Sequence, residues 1–329
     1  MGKLTTQYLG LELKNPVIAG ASGFTGNIKS IKKLDEAGIG AIVIKSLFEE
    51  QIIFDANKTL KSGGIVYGYD DIDDYVGFYE KKHSISKYTE LIKEAKKTVT
   101  APVIASINCA SSGQWTSFAK KVEAAGADAL QLNMFILPFD TKKSGQEIDD
   151  EYVKTVAMVK ELVSIPISVK LSYHFSNIFQ IINRLGQAGA DGFVLFNRFF
   201  SPDLDINTLE HTSANFFSDP AENILTMRWI GMLYSKTTKN LAAATGVHSG
   251  EDLIKMILLG ADAAEVVSTL YKNKPAVIGE MLKTLEEWMD NQKFDSISAF
   301  KGLKSQKDSL NPEVFNRVQY MKHYGELKK

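Results

Sequence analysis

Several apolar runs in the sequence end in one polar side chain, and these polar residues are the first candidates for chemistry. Lysine ends two runs, at Lys45 and Lys170, and asparagine ends three, at Asn108, Asn133 and Asn197. A carboxamide both donates and accepts hydrogen bonds, which matches the N3–H/C2=O/C4=O edge of a flavin or a pyrimidine. A lysine beside the N1/C2 carbonyl region of a flavin stabilises the negative charge of the reduced ring. The pattern therefore indicates a site for a flavin or a pyrimidine.

The polar ends belong to a sequence motif that recurs along the chain: a helix end with glycine, a tight turn, and an apolar strand. Its copies begin at Ala37, Ala125, Ala188 and Leu259. Between them lie the apolar runs 16–19, 102–107, 166–170 and 241–244, three of which begin with proline, as the first position of a strand tolerates. Near-continuous apolar strands that alternate with helices predict a parallel sheet, and eight of them predict a closed (β/α)8 TIM barrel.

Apolar residues three and four apart predict the helices between these strands. We predict helices over 28–37, 84–98, 117–125, 149–163, 175–188, 221–234, 250–259 and 275–288. The connections 46–83, 134–147 and 198–220 are long, and long connections without structure of their own are often lids or binding loops. We predict a single domain over 1–329, with a polar tail, 295–329, that wraps the barrel.

The segment 241–271 contains a candidate site for an anion. Gly246 lets the backbone approach a ligand closely, and the hydroxyl groups of Ser268 and Thr269 can donate hydrogen bonds. The loops after strands 7 and 8 of a TIM barrel commonly form a phosphate site. An ordinary βαβ unit with a glycine turn is the alternative interpretation of this segment.

Composition excludes several classes of function. The 38 Lys and Arg residues balance 39 Asp and Glu residues, so no basic excess indicates nucleic-acid binding. The single cysteine, Cys109, excludes an internal disulfide and a multi-cysteine metal site, and the five histidines are scattered, so we expect no metal. We find neither a signal peptide nor an apolar run of the roughly 18 residues that a membrane span needs. We expect a cytoplasmic protein.

Taken together, the strand ends resemble those of the dihydroorotate dehydrogenase family of FMN barrels, from near the N-terminus to about Gly302. The short motifs that carry the resemblance occur in the family's order and spacing. They are Asn15-Pro16-Val17 with Ala21-Ser22-Gly23, Ile44-Lys45-Ser46, Leu130-Gln131-Leu132-Asn133, Val169-Lys170-Leu171, Phe196-Asn197, Thr245-Gly246-Val247 with Ser249-Gly250, and Val267-Ser268-Thr269.

The resemblance implies that FMN is the cofactor and that dihydroorotate, or a related dihydropyrimidine, is oxidised by hydride transfer to flavin N5 in pyrimidine biosynthesis. It implies as FMN-binding residues Ala21, Ser22, Lys45, Ser46, Asn133, Lys170, Gly246, Val247, Ser268 and Thr269. We expect Lys45, Asn133 and Asn197 to face the substrate, with Arg198 available to pair with a carboxylate. The electron acceptor is expected to be soluble or a partner redox protein, and a homodimer is the default oligomer.

The loops over the substrate depart from the family pattern. Ile136 stands where the family carries a Cys or Ser base, and an isoleucine cannot accept a proton. The catalytic base is therefore unknown, and the candidates are Cys109, Asp140 and Tyr67. Two alternatives stay open: a divergent flavoenzyme that acts on a different acidic substrate, and a flavin-binding protein without dehydrogenase activity.

Overall fold

The protein is described by a computed structural model that covers residues 2–48, 85–108, 112–136, 140–198, 202–213, 216–307 and 315. Its strands are β1 Thr6–Tyr8, β2 Leu11–Leu13, β3 Val17–Ala19, β4 Ala41–Val43, β5 Leu47–Phe48, β6 Val103–Asn108, β7 Ala129–Asn133, β8 Ile167–Leu171, β9 Gly192–Leu195, β10 Pro202–Asp205, β11 Glu210–Ser213, β12 Asn240–Ala244 and β13 Ala263–Val266.

Eight parallel strands close into a barrel. Their order is β4-β3-β13-β12-β9-β8-β7-β6, and the pairing of β4 with β6 closes the ring. The short strand β5 extends the same sheet beyond β4 by pairing with the end of β6. The predicted (β/α)8 barrel is confirmed.

Helices surround the barrel in the predicted order. They are α1 Ile28–Glu36, α2 85–98, α3 Ser112–Ala124, α4 Gly145–Lys160, α5 Ile178–Gln187, α6 Asn223–Leu233, α7 Gly250–Leu259, α8 Ser268–Asn273 and α9 Val277–Gln292. Helix α4 begins earlier than the apolar spacing predicted, because Ser144 caps it and forms a capping box with Glu147 in its first turn. Ser268 and Thr269, predicted at a strand end, instead begin α8.

Two hairpins were not predicted from the sequence. Strands β1 and β2 pair antiparallel, and Leu9 in their turn donates its backbone N–H to Asn240 at the start of β12, 2.9 Å away. The hairpin therefore closes the barrel end at which the strands begin, and Tyr8 and Leu13 are fully buried there. Strands β10 and β11 form the second hairpin, inside the connection 198–220 that the sequence left without structure.

The glycines of the recurring motif end the helices in a left-handed conformation. Their φ values are 89° at Gly38, 91° at Gly126, 111° at Gly189 and 116° at Gly260. Residues with a side chain rarely adopt this conformation, so glycine is favoured at each copy. The chain then reverses directly into the next strand, which explains the repeat.

The aspartate that follows three of these glycines ties neighbouring strands together where they begin. Each carboxylate accepts a backbone N–H of the preceding strand and pairs with a lysine. The sets are Asp128 with Val103 and Lys96, Asp191 with Ile167 and Lys160, and Asp262 with Leu241 and Lys301. One repeated device thus joins neighbouring strands at this end of the barrel.

Apolar residues form one core between strands and helices and a second inside the barrel, where small side chains such as Ala129 and Ala242 alternate with larger ones. Residues after α9 pack back on the barrel: the backbone N–H of Gly302 donates to Ile257 of α7. Among the described residues, we find no helix with the length and apolar character needed to cross a membrane.

Candidate active site

A cavity of about 310 Å³ opens at the barrel end where the strands finish. This volume is within the range of small-molecule sites. Its walls come from the segments after β3, β9, β12 and β13 and from the end of β8. The lining residues are Ala21, Ser22, Gly23, Lys170, Asn197, Arg198, Phe216, Phe217, Ser218, Ala244, Thr245, Gly246, Val247, Glu265, Val267, Ser268 and Tyr271.

Much of the predicted binding set lines this cavity. From the residues assigned to FMN, the cavity contains Ala21, Ser22, Lys170, Gly246, Val247 and Ser268. From those assigned to the substrate, Asn197 and Arg198 line it. The topology brings these positions, far apart in sequence, to a single mouth.

The carboxamides form a connected chain beside the cavity. Asn197 donates to the Oδ1 of Asn133, and Asn133 donates to the hydroxyl of Ser46 over 3.4 Å. Ser46 in turn shares a 2.7 Å hydrogen bond with the buried Ser106. Asn133 and Ser46 thus lie behind Asn197 and orient it, while Asn197 itself reaches the cavity.

Lys170 lines the cavity and forms an ion pair with the buried carboxylate of Glu265. Its Nζ is 2.8 Å from the Oε2 of Glu265, and the two side chains are only 11% and 1% exposed. Gln131 donates its side-chain amide to the other carboxylate oxygen. Because burial makes an unpaired charge costly, the pair fixes both side chains in position.

The turn after β12 is held in an unusual conformation. Thr245 and Gly246 have φ values of 71° and 79°. A β-branched threonine rarely adopts a positive φ, and its hydroxyl donates to the carbonyl of Phe196, 3.0 Å away. A Cβ on Gly246 would lie 2.4 Å from the backbone nitrogen of Asn223. The close approach explains the glycine and places the turn beside the start of α6.

Hydroxyl and imidazole groups surround the part of the cavity predicted to hold an anion. Ser218 donates its backbone N–H to the hydroxyl of Ser268 over 3.0 Å, and its own hydroxyl lies 2.9 Å from the Nε2 of His248. Lys272 donates to the carbonyl of Ser218. Burial, followed by the charge of Lys272, lowers the pKa of His248 below its usual 6.5.

Arg198 lies at the cavity wall with its guanidinium already engaged. Its Nε is 2.8 Å from the Oε2 of Glu222, and its other nitrogens donate to the carbonyls of Phe216 and Phe217. Any carboxylate that binds Arg198 therefore competes with Glu222, whose side chain is 36% exposed.

Other predicted site residues lie outside the cavity wall. Lys45 is exposed, and its side chain runs past Gly26. The buried hydroxyl of Thr269 donates to the carbonyl of His248. Ile136 donates its backbone N–H to the hydroxyl of Tyr152, whose pKa burial raises to about 12.

The three candidate bases gain little from the structure. Asp140 is exposed and accepts the backbone N–H of Lys142 over 2.9 Å. Tyr67 and Cys109 lie outside the described residues. The assignment of the catalytic base to Asp140, Tyr67 or Cys109 stays a prediction.

Glu265, Gln131, Phe217 and Tyr271 were missed by the reasoning from sequence. A signal for Glu265 did exist, since a carboxylate interrupts the apolar run 263–267. The aromatic pair could not be found in this way, because Phe217 and Tyr271 meet only in the folded chain, with ring centroids 5.4 Å apart.

Two observations test whether FMN fits this site. The hydroxyl oxygen of Ser22 is buried at the cavity wall without a hydrogen-bond partner in the described part of the chain. Gly246 has no side chain and lines the cavity, so backbone atoms of its turn border the cavity directly. An unused hydroxyl, an amide, an ammonium group and a close backbone turn match the polar edge of a flavin mononucleotide. The residues fit.

Comparison with known proteins agrees with this geometry. The family model for dihydroorotate dehydrogenase matches residues 3–289. A relative from Thermoplasma volcanium, named dihydroorotate dehydrogenase B (NAD(+)), catalytic subunit, is 26% identical over 311 residues, covering 92% of this chain and 99% of its own length. Proteins of the same name from Methanothermobacter thermautotrophicus and Methanocaldococcus jannaschii are 27% and 28% identical, covering 91% and 82% of this chain and 98% and 87% of their own.

The match spans the strands, the connecting helices and the segments that line the cavity. Since the family model covers most of the described barrel, the chain belongs to the dihydroorotate dehydrogenase family.

Proposed function

We propose that the protein oxidises dihydroorotate to orotate with FMN bound in the cavity at the ends of the barrel strands. Members of its family are FMN flavoproteins that act on CH–CH donors, and this chain is an oxidoreductase of that type in pyrimidine biosynthesis. The observation that carries the proposal is the convergence of Ser22, Lys170, Asn197 and Ser268 on one cavity.

Each residue has a defined task in this proposal. FMN, when bound, would supply the hydride acceptor for this oxidation, and the base that is still to be identified would take the proton from the adjacent carbon of the substrate. Lys170 would present its ammonium group to the pyrimidine end of the flavin, Ser22 would donate a hydrogen bond to the flavin, and Ser268 would donate one to the phosphate. Asn197, oriented by Asn133, faces the substrate amide edge. Arg198 binds the substrate carboxylate by exchanging its contact with Glu222.

Electrons leave through a partner redox protein in this proposal. The relatives are named as the catalytic subunits of NAD(+)-linked enzymes, which favours a second subunit that passes electrons onward. We propose a homodimeric catalytic component in the cytoplasm, in keeping with base rates for oligomers.

The test is an anaerobic titration of purified, FMN-loaded protein with dihydroorotate, followed by flavin absorbance. Stoichiometric bleaching and formation of orotate support the proposal. A protein that binds FMN but is bleached only by dithionite contradicts it. Protein that takes up no FMN removes the flavin site altogether.

A second candidate function is the oxidation of a different acidic substrate. Ile136 favours this second function, because it stands where the family carries its base and an isoleucine cannot accept a proton. The backbone N–H of Ile136 donates to the hydroxyl of Tyr152. Screening small carboxylic acids in the same titration distinguishes the two functions. Replacing Arg198 with methionine abolishes bleaching by any donor whose carboxylate it binds, and Arg228→Met is the control on α6.

A further inference from the structure

The buried carboxylate of Glu265 has no part in the function proposed so far. Its side chain is 1% exposed, lies on the otherwise apolar strand β13 and lines the same cavity as Lys170. One carboxylate oxygen accepts from Lys170 at 2.8 Å, and the other accepts from Gln131. A Cβ on Gly20 would lie 3.4 Å from the first oxygen, so the backbone after β3 passes close to the carboxylate.

The surroundings of Glu265 leave Lys170 as its counter-charge. Burial, followed by the charge of Glu265, raises the pKa of Tyr8 well above 10, so this tyrosine stays neutral beside the carboxylate. Gln131 is neutral as well. A buried carboxylate is costly unless a cation pairs with it, and Lys170 supplies that cation.

We propose that Glu265 is a positioning residue that sets the reduction potential of the bound flavin through Lys170. The inference rests on the proposed function, since it requires FMN in the cavity. A lone ammonium group near the flavin stabilises the anionic reduced ring. Glu265 offsets most of that charge and holds the Nζ of Lys170 at the cavity wall, so the flavin is harder to reduce and gives up its electrons more readily.

The experiment measures the midpoint potential of FMN bound to the wild-type protein and to Glu265→Gln. Glutamine keeps the size of the side chain and an oxygen that accepts from Lys170, but it removes the negative charge. We expect the equilibrium constant for two-electron reduction to shift about tenfold toward reduced flavin. This is the order of magnitude expected when one unit charge near the ring is removed and the surroundings partly screen it. This corresponds to about 30 mV upward.

Two further variants separate charge from structure. Asp191→Asn removes a carboxylate that is 2.9 Å from Lys160 at the opposite end of the barrel, and we expect its flavin potential to equal the wild-type value. Glu265→Asp keeps the negative charge but places it farther from Lys170, because the side chain is one methylene shorter. We expect its flavin potential to lie between those of wild type and Glu265→Gln. If Glu265→Gln does not fold, Glu265→Asp alone must still raise the potential.

An unchanged midpoint in a folded, FMN-loaded Glu265→Gln variant overturns the inference and leaves the proposed function standing. An upward shift of the midpoint in a protein that dihydroorotate does not reduce supports the inference and contradicts the proposed substrate, whereas a downward shift overturns the inference. A shift of the same size in Asp191→Asn also overturns it, because the effect would then be general.

Discussion

The two ends of the barrel are built in different ways. Where the strands begin, one device recurs: a glycine with positive φ, then an aspartate that accepts a backbone N–H and pairs with a lysine, as at Gly260 and Asp262. Where the strands end, the polar groups in the part of the chain that the structure describes differ from one another in arrangement. Lys170 meets a buried carboxylate, and Thr245 adopts a positive φ.

The difference separates residues that stabilise the fold from residues that bind. Two of the three charge pairs at the first end are partly exposed, as for Lys160 and Asp191 at 32% and 34%, so water screens them, whereas Asp262 in the third pair is buried. Lys170 and Glu265 at the second end are buried, and burial makes a charge without its partner costly. Equivalent substitutions should therefore have unequal effects at the two ends.

The largest difference is expected between two lysines. Lys170→Met leaves Glu265 buried without its cation, which should cost about 3–5 kcal/mol of stability and reduce FMN affinity at least tenfold. Lys160→Met should cost about 0–1 kcal/mol and leave FMN affinity unchanged. Urea unfolding and FMN titration measure both quantities. Equal losses in the two variants would contradict the distinction between the ends.

Alanine variants of two glycines, one at each end of the barrel, should show effects of intermediate size. A Cβ would lie 2.4 Å from the backbone of Asn223 at Gly246 and 2.3 Å from the ring of Tyr234 at Gly260, and both glycines have positive φ. Each alanine variant should lose about 1–3 kcal/mol of stability. Only Gly246→Ala should weaken FMN binding, since only that turn lines the cavity. Weakened binding in Gly260→Ala would show that the ends are coupled.

The smallest effects are expected in the pH dependence of stability. His248, near the cavity, has a pKa lowered below 6.5 by burial, so the unfolded chain binds its proton first and stability falls as pH drops below 6.5. Glu123, near the start of β8, has a pKa lowered below 4.5 by hydrogen bonds from Ser164. Its contribution is present above pH 4.5 and is lost as pH falls through the folded pKa.

Unfolding free energies measured from pH 3 to pH 8 separate these two groups. His248→Asn should flatten the profile just below pH 6.5 and leave the acid limb as it is. Glu123→Gln should flatten only the acid limb, below pH 4.5. A wild-type profile that is flat between pH 5 and pH 6.5 would contradict the assignment to His248.

Local sequence was sufficient for the barrel but not for every element. The helix 250–259 was predicted with its observed bounds, because Ser249 and Asp252 form a capping box and Gly260 ends it. The β1–β2 hairpin was missed, since its short strands carry little periodic signal and are held mainly by contacts with distant strands. The early start of α4 was missed because its first turn is polar.

The sequence by itself determined the alternation of strands and helices, and with it which polar residues stand at strand ends. Apolar periodicity and left-handed glycines act over a few residues, so they can be read without the fold. Tertiary structure decided which of these polar residues reach the cavity: Lys170 and Asn197 line it, whereas Thr269 points to a backbone carbonyl. It also paired Lys170 with Glu265, two residues whose contact depends on closure of the barrel.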